Sequence, residues 1–167
     1  MLQRIILSTL LIFSIYAHAQ NEKPNRDAFV LTVAVDTVNY YQQDVPISPY
    51  FVKDKILQIY PTEKLFIETE VKADSIHSMK VVKENLNPEK TIVIEFIQNV
   101  KGKNHEGMML KVDNPFEKAL RYKALMYING RTEWIPTSII PVRPKLSSFE
   151  VWNDVILSLV LVEWKLE

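Results

Sequence analysis

Alternating apolar and polar residues recur along nearly the whole chain, and a period of two belongs to an extended strand, not a helix. Phe29, Leu31, Val33 and Val35 alternate with Val30, Thr32, Ala34 and Asp36. The pattern returns at Leu65, Ile67, Thr69 and Val71, at Ile92, Ile94 and Phe96, and at Met108, Leu110 and Val112. Its longest clean run is Leu120, Tyr122, Ala124, Met126 and Ile128, opposite Arg121, Lys123, Leu125 and Tyr127. No stripe at i, i+3, i+4, i+7 persists for three turns, so substantial helix is not expected. Strands that hide one face must stack on a second apolar layer. The expectation is an all-β chain: an antiparallel two-sheet sandwich of about eight or nine strands in an immunoglobulin-like Greek-key form, with a β-barrel as the other way to close it.

The punctuation fits strands. Asn129-Gly130 lies between strand-like runs over 124–128 and 131–135, and predicts a two-residue hairpin turn with φ > 0 at both positions. The sequence Asn-Leu-Asn-Pro-Glu over 85–89 separates two further runs, 76–83 and 91–98. Residues 101–107 read as a polar loop ahead of the Met108 strand. Pro136, Pro141 and Pro144 restrict the next segment to an edge strand, a bulge or a loop, because proline cannot donate to a ladder. The run over 155–166 returns to strand character.

The N-terminus has a different logic. Arg4 precedes an apolar run over 5–16, and Ala17-His18-Ala19 supplies the small residues that a signal peptidase accepts. An apolar helix of about twelve residues rises about 18 Å, well short of the roughly 30 Å hydrocarbon core. Residues 1–19 therefore read as a cleaved secretion signal, leaving no transmembrane anchor. Residues 20–27 read as a flexible polar leader, and 28–167 as one β-sandwich domain. The expected location is periplasmic or secreted, after cleavage between Ala19 and Gln20.

Composition narrows the chemistry. The chain has no cysteine, so disulfides, thiol nucleophiles, iron–sulfur clusters and lipobox attachment are excluded. Twenty Lys and Arg balance twenty Asp and Glu, and no basic run marks a nucleic-acid surface. Three glycines, none clustered, cannot build a Walker loop, a dinucleotide fingerprint or a nucleophile elbow. With no sequon, the chain reads as a bacterial envelope or secreted protein.

Few residues remain as candidates for chemistry. Asp74, Ser75 and His77 hold the residue types of a serine triad, but crowd them into one turn, where the base cannot sit between its partners. His77 reads instead as a half-buried packing residue beside Met79 and Val81. His105-Glu106 cannot hold a metal alone, so neither a metal nor a cofactor is expected. Glu68 and Glu70 share a strand face at about 7 Å, within reach of the spacing of an inverting glycosidase pair, but with Phe66 and Lys72 on the same face they read as a solvated strand face.

Two stretches point to partners. Tyr40, Tyr41, Tyr50 and Phe51 lie in a proline-punctuated segment that reads as a binding loop, because tyrosine gives contact area with few rotors. The same rings could cap one end of the sandwich. Leu157, Leu159 and Leu161 give the last strand a second apolar face, to be covered by this chain or by another. The functional expectation is an exported, non-enzymatic module for binding or envelope assembly, whose partner is another envelope protein or a small ligand. A hydrolase using loop carboxylates, or a structural subunit docked through its C-terminal strand, are the alternatives.

Overall fold

The structure, a computed structural model, describes residues 21–167. The expected signal sequence and its cleavage point lie outside the described residues. The strands, in chain order, are β1 Asn25–Arg26, β2 Phe29–Ala34, β3 Tyr40–Val45, β4 Ser48–Pro49, β5 Phe51–Lys53, β6 Ile56–Ile59 and β7 Lys64–Lys72. They continue as β8 Ser75–Val82, β9 Thr91–Lys101, β10 Asn104–Asp113, β11 Leu120–Ile128, β12 Trp134–Thr137, β13 Ser147–Trp152 and β14 Ile156–Leu166. A short 3-10 turn over Pro88–Lys90 precedes β9.

The chain is all-β and has two main sheets. The first has the order β13-β10-β9-β7-β8 and the second β12-β11-β14-β6-β5. Every pairing between neighbours is antiparallel. Their inner faces meet in one core, where Ile67, Ile92, Ile94, Phe96 and Leu110 of the first sheet pack with Leu57, Ile59, Leu120, Leu159 and Leu161 of the second. Tyr122 stacks on Trp164 within it, with ring centroids 4.9 Å apart. The two main sheets hold ten strands, above the eight or nine expected, and two small ribbons, β1 with β4 and β2 with β3, bring the described strands to fourteen.

The strand β14 shows how bulges set which residues face inward. Its partner register on β11 shifts between Tyr127 and Ile128, and again between Arg121 and Lys123. The extra residues restart the alternation. Ile156, Leu159, Leu161 and Trp164 thus all reach the main core, while Leu157 turns to the outer face. There the β2–β3 hairpin covers it with Leu31, Val33 and Val45. Asp36 closes that hairpin by accepting hydrogen bonds from the backbone amides of Val38 and Asn39 and from the Asn39 side chain.

Two glycines mark places where a side chain would not fit the backbone. Gly107, at φ +135, sits at the β9–β10 bulge, and a Cβ there would approach the Trp152 carbonyl oxygen to 3.0 Å. Gly130, at φ +79, completes a turn in which the Arg131 amide donates to the Ile128 carbonyl. Asn129 keeps a negative φ, so this turn has the type II pattern and not the mirror-image form expected. The hairpin is correspondingly wider, since pairing resumes only at Tyr127 and Trp134. Pro136 lies on β12, an edge strand, as its missing donor requires.

Three further expectations change. Residues 101–107, expected as a loop, belong to a tight β9–β10 hairpin, because Gly102 at φ +64 lets the polar arms pair beyond the core. Residues 40–45, expected as a loop, form β3, because the buried face of β2 needs a partner strand. The polar segment over 21–27 is built into the body. Glu22 bridges Val82, the Lys23 amide donates to the Val81 carbonyl, and Arg26 is 2% exposed.

Arg26 is fully satisfied. Its Nε donates to Glu63 Oε1 at 3.0 Å, Nη1 to the Ser48 hydroxyl and the Pro49 carbonyl, and Nη2 to the Gln58 carbonyl and Glu63 Oε2. These bonds account for all five guanidinium protons. Tyr50 and Tyr60 flank the cation at 4.6 and 5.0 Å from their ring centroids. Replacing Arg26 with Met strands the half-buried Glu63 carboxylate and is expected to cost about 3–5 kcal/mol. The double replacement Arg26→Met, Glu63→Met should recover part of that loss. Urea denaturation of the three proteins checks this, and a single-variant cost under about 1 kcal/mol would refute the role given to the pair.

Candidate functional site

The bulge that turns Leu157 outward also sets the floor of a groove on the outer face of the second sheet. Register places Trp134 of β12 opposite Tyr127 of β11, and Tyr127 opposite Ser158 of β14. Tyr60 follows β6 directly and continues this row beyond Ser158, since Ile59 pairs with Leu159. The row crosses four strand positions, about 14 Å at the ordinary spacing between strands. One wall is the β2–β3 hairpin, whose Gln43 pairs with the buried Leu31 and so lies on the hairpin's inward face. The enclosed volume is about 310 Å³, lined by Gln43, Gln58, Tyr60, Tyr127, Trp134, Leu157 and Ser158.

The polar atoms of the groove are oriented by one another. Gln58 Nε2 donates to the Tyr60 hydroxyl at 3.0 Å and the Ser158 hydroxyl at 3.1 Å. Ser158 in turn donates to the Ile59 carbonyl. The Tyr41 hydroxyl donates to Gln43 Oε1 at 2.7 Å, which fixes the orientation of that amide. Burial holds the Tyr60 phenol above its usual pKa, so the hydroxyl keeps its proton. Tyr127 and Trp134 make a tilted pair with centroids 5.3 Å apart and planes at 42°. Trp134 is 40% exposed, and no lining residue carries a charge. The site therefore offers aromatic surface, amide donors and acceptors, and an uncharged lining.

The residues expected to bind do not converge. Tyr40 is exposed at the start of β3, and Tyr41 packs against the smaller core beneath the hairpin. Tyr50 is buried under Arg26, where burial and the nearby Glu63 carboxylate push its phenol pKa up. Phe51 packs against the main core. The capping alternative describes Tyr50 and Phe51 better than the binding one. Leu157, Leu159 and Leu161 are 3%, 0% and 0% exposed, so they form no docking face on this chain. Strand β14 also runs between β11 and β6, and docking through it has no open edge along 159–161. The groove is not legible in the sequence because its residues come from four distant segments. One signal was available: Tyr127 interrupts the polar face of β11 and Trp134 follows across the turn, the mark of a cross-strand aromatic pair.

The carboxylates read differently from their spacing. A cavity of about 730 Å³ lies along the β7–β8 edge and includes Glu68, Glu70, Ser78, Lys80 and Lys90. Glu68 is buried, not solvated, and accepts from Asn87 Nδ2 at 2.5 Å with Lys90 Nζ at 3.4 Å and Lys80 Nζ at 3.7 Å. Burial raises its pKa, but the Asn87 bond and the Lys90 and Lys80 charges outweigh that and hold it below the usual value. Hydrogen bonds from Lys72 and Ser78 lower Glu70 as well. An inverting pair needs one carboxyl kept protonated, and neither of these is.

The two histidines among the described residues are occupied or exposed. His77 is exposed, not half-buried, because the β7–β8 register shifts between Glu70 and Val71 and turns Ile76 inward in its place. His105 Nδ1 accepts from Gln98 Nε2 at 2.7 Å, a bond that leaves Nε2–H to donate to the Asn153 carbonyl at 3.0 Å. Gln98 also exchanges two bonds with the Ala34 backbone, tying the β2–β3 hairpin to the first sheet.

The Glu68 arrangement carries a pH signature. Its folded pKa lies below the ordinary 4.5, so its contribution to stability is complete above that value and is lost as pH falls through the folded pKa. Glu68→Gln should flatten the acid limb of stability below pH 4.5, leaving a residual slope from Asp36 and Glu70, whose pKa values are also lowered. Denaturation midpoints measured from neutral to acid pH check this, and an unchanged acid limb would refute it. No known protein family, curated protein or solved structure matches the chain.

Proposed function

We propose that the chain is an exported, non-enzymatic binding module of a bacterial envelope, working through the groove beneath the β2–β3 hairpin. The observation that carries this reading is Trp134. It pairs with Tyr127 on an edge strand and stays 40% exposed beside oriented amides, where core packing has no use for it. Pockets that hold small ligands are concave, largely apolar and furnished with a few placed polar groups, and their volumes start near 300 Å³. Of the two kinds of partner expected from the sequence, a small ligand fits this groove better than a flat protein surface does.

Export is supported by Arg4, the apolar run over 5–16 and the Ala17-His18-Ala19 site. The Greek-key reading is supported by the passage of the chain between the two antiparallel sheets, from β6 to β7 and back from β10 to β11. An assembly role would use a different surface, the outer face of edge strand β13, where Phe149 and Val151 are 57% and 61% exposed.

Expressed with its own leader in a Gram-negative host, the protein should be recovered from the periplasm with Gln20 as its first residue. Intact mass showing a membrane-retained, full-length chain would overturn export. The groove has its own test, a titration with a library of small neutral fragments followed by protein-observed NMR. Shifts should cluster on the Trp134 indole N–H and the Gln43 and Gln58 side-chain amides. Shifts centred on β13 or the Glu68 cavity would move the site elsewhere.

A further inference from the structure

We infer that the groove binds a neutral saccharide, with sugar rings laid on the Trp134 and Tyr127 faces; this rests on the binding-groove reading above. Four features of the lining select that class. The row is uncharged, so it offers nothing to a phosphate, a sulfate or an ammonium group. Its exposed surface is aromatic, and the electron-rich face of an indole or phenol suits the C–H groups on the flatter side of a pyranose.

The polar groups supply both signs. Gln43 Oε1 is engaged by Tyr41, so its Nε2 is the end left to donate. Both protons of Gln58 Nε2 are spent on Tyr60 and Ser158, so its Oε1 is the end left to accept. The Tyr60 hydroxyl accepts from Gln58 and still has a proton to give. A hydroxyl-bearing ligand, which donates and accepts at every position, satisfies all three. A proline-rich peptide, the other common occupant of aromatic grooves, brings carbonyl acceptors but few donors and would leave Gln58 Oε1 unmatched.

The fourth feature is pre-organisation. Arg26 bonds the Gln58 carbonyl and packs on the Tyr60 ring, and Glu63 accepts from the Tyr60 amide at 2.8 Å. The polar end of the groove is thus held by the most fully bonded ion pair described in the fold. Little ordering remains to be done on binding.

The test uses the purified exported protein, the neutral hexasaccharides of glucose, xylose and N-acetylglucosamine, and a proline-rich decapeptide. Calorimetry and tryptophan fluorescence report binding. At least one hexasaccharide is expected to bind. Trp134→Ala should weaken it by about tenfold or more and Gln43→Ala by severalfold, with both variants folded and melting temperatures lowered by no more than a few degrees. Saccharide binding that survives Trp134→Ala at full strength would overturn the inference. Binding of the decapeptide alone would overturn the saccharide assignment while keeping the groove as a site. Binding of neither, with no fragment shifts in the groove, would overturn both.

Discussion

A single buried cation organises the N-terminal third of the molecule. Arg26 collects a carboxylate, a hydroxyl, two backbone carbonyls and two tyrosine faces around one guanidinium. Those partners belong to β4, the residue between β4 and β5, β6, and the turn between β6 and β7. Without the cation, the Pro49 and Gln58 carbonyls would lose a donor in a place water reaches poorly. Arginine is required for its geometry as much as for its charge, because lysine could not bond Glu63 through two nitrogens while reaching the opposite carbonyls. The desolvation cost of such a pair is large, so the arrangement serves to fix one geometry more than to add net stability.

The second organising device is the pair of bulges in β14. Strict alternation would have sent Leu157, Leu159 and Leu161 to one side and left the sheet with an apolar stripe on each face. The bulges give the main core four side chains at uneven spacing and leave Leu157 for a separate, smaller cluster. That cluster is the foundation on which the β2–β3 hairpin stands, and the hairpin is a wall of the groove. Core packing and the candidate site therefore depend on the same local irregularity.

How far the residues announced this differs from feature to feature. The strands at Leu65, Ile92, Met108 and Leu120 follow directly from alternation, because each hides one face and shows the other. The turn at Asn129-Gly130 was legible in place but not in type, since Gly130 alone takes the positive φ. Burial of Arg26 was not legible, because its partners sit 22 to 37 residues away and the surrounding Asn, Glu, Lys and Asp read as solvent-facing. Glu68 failed for a related reason: Asn87, which neutralises the cost of burying it, lies in a turn 19 residues on. The groove was illegible as a whole, although Tyr127 and Trp134 carried a local trace of it. Local pattern reports one strand's two faces, whereas these features are made where several strands meet.

The position of β14 has a consequence for how the chain acquires its shape. This strand lies between β11 and β6, so residues near 160 bridge elements made near 57 and near 125. Neither half of the second sheet can complete its ladder until the most C-terminal strand is available. Early in synthesis the facing edges of β6 and β11 have no strand between them to pair with. Contacts of such long sequence separation place the fold among slow, non-local topologies. The order of the strands thus delays closure of the second sheet until residues near 160 are present, long after its other strands have been made.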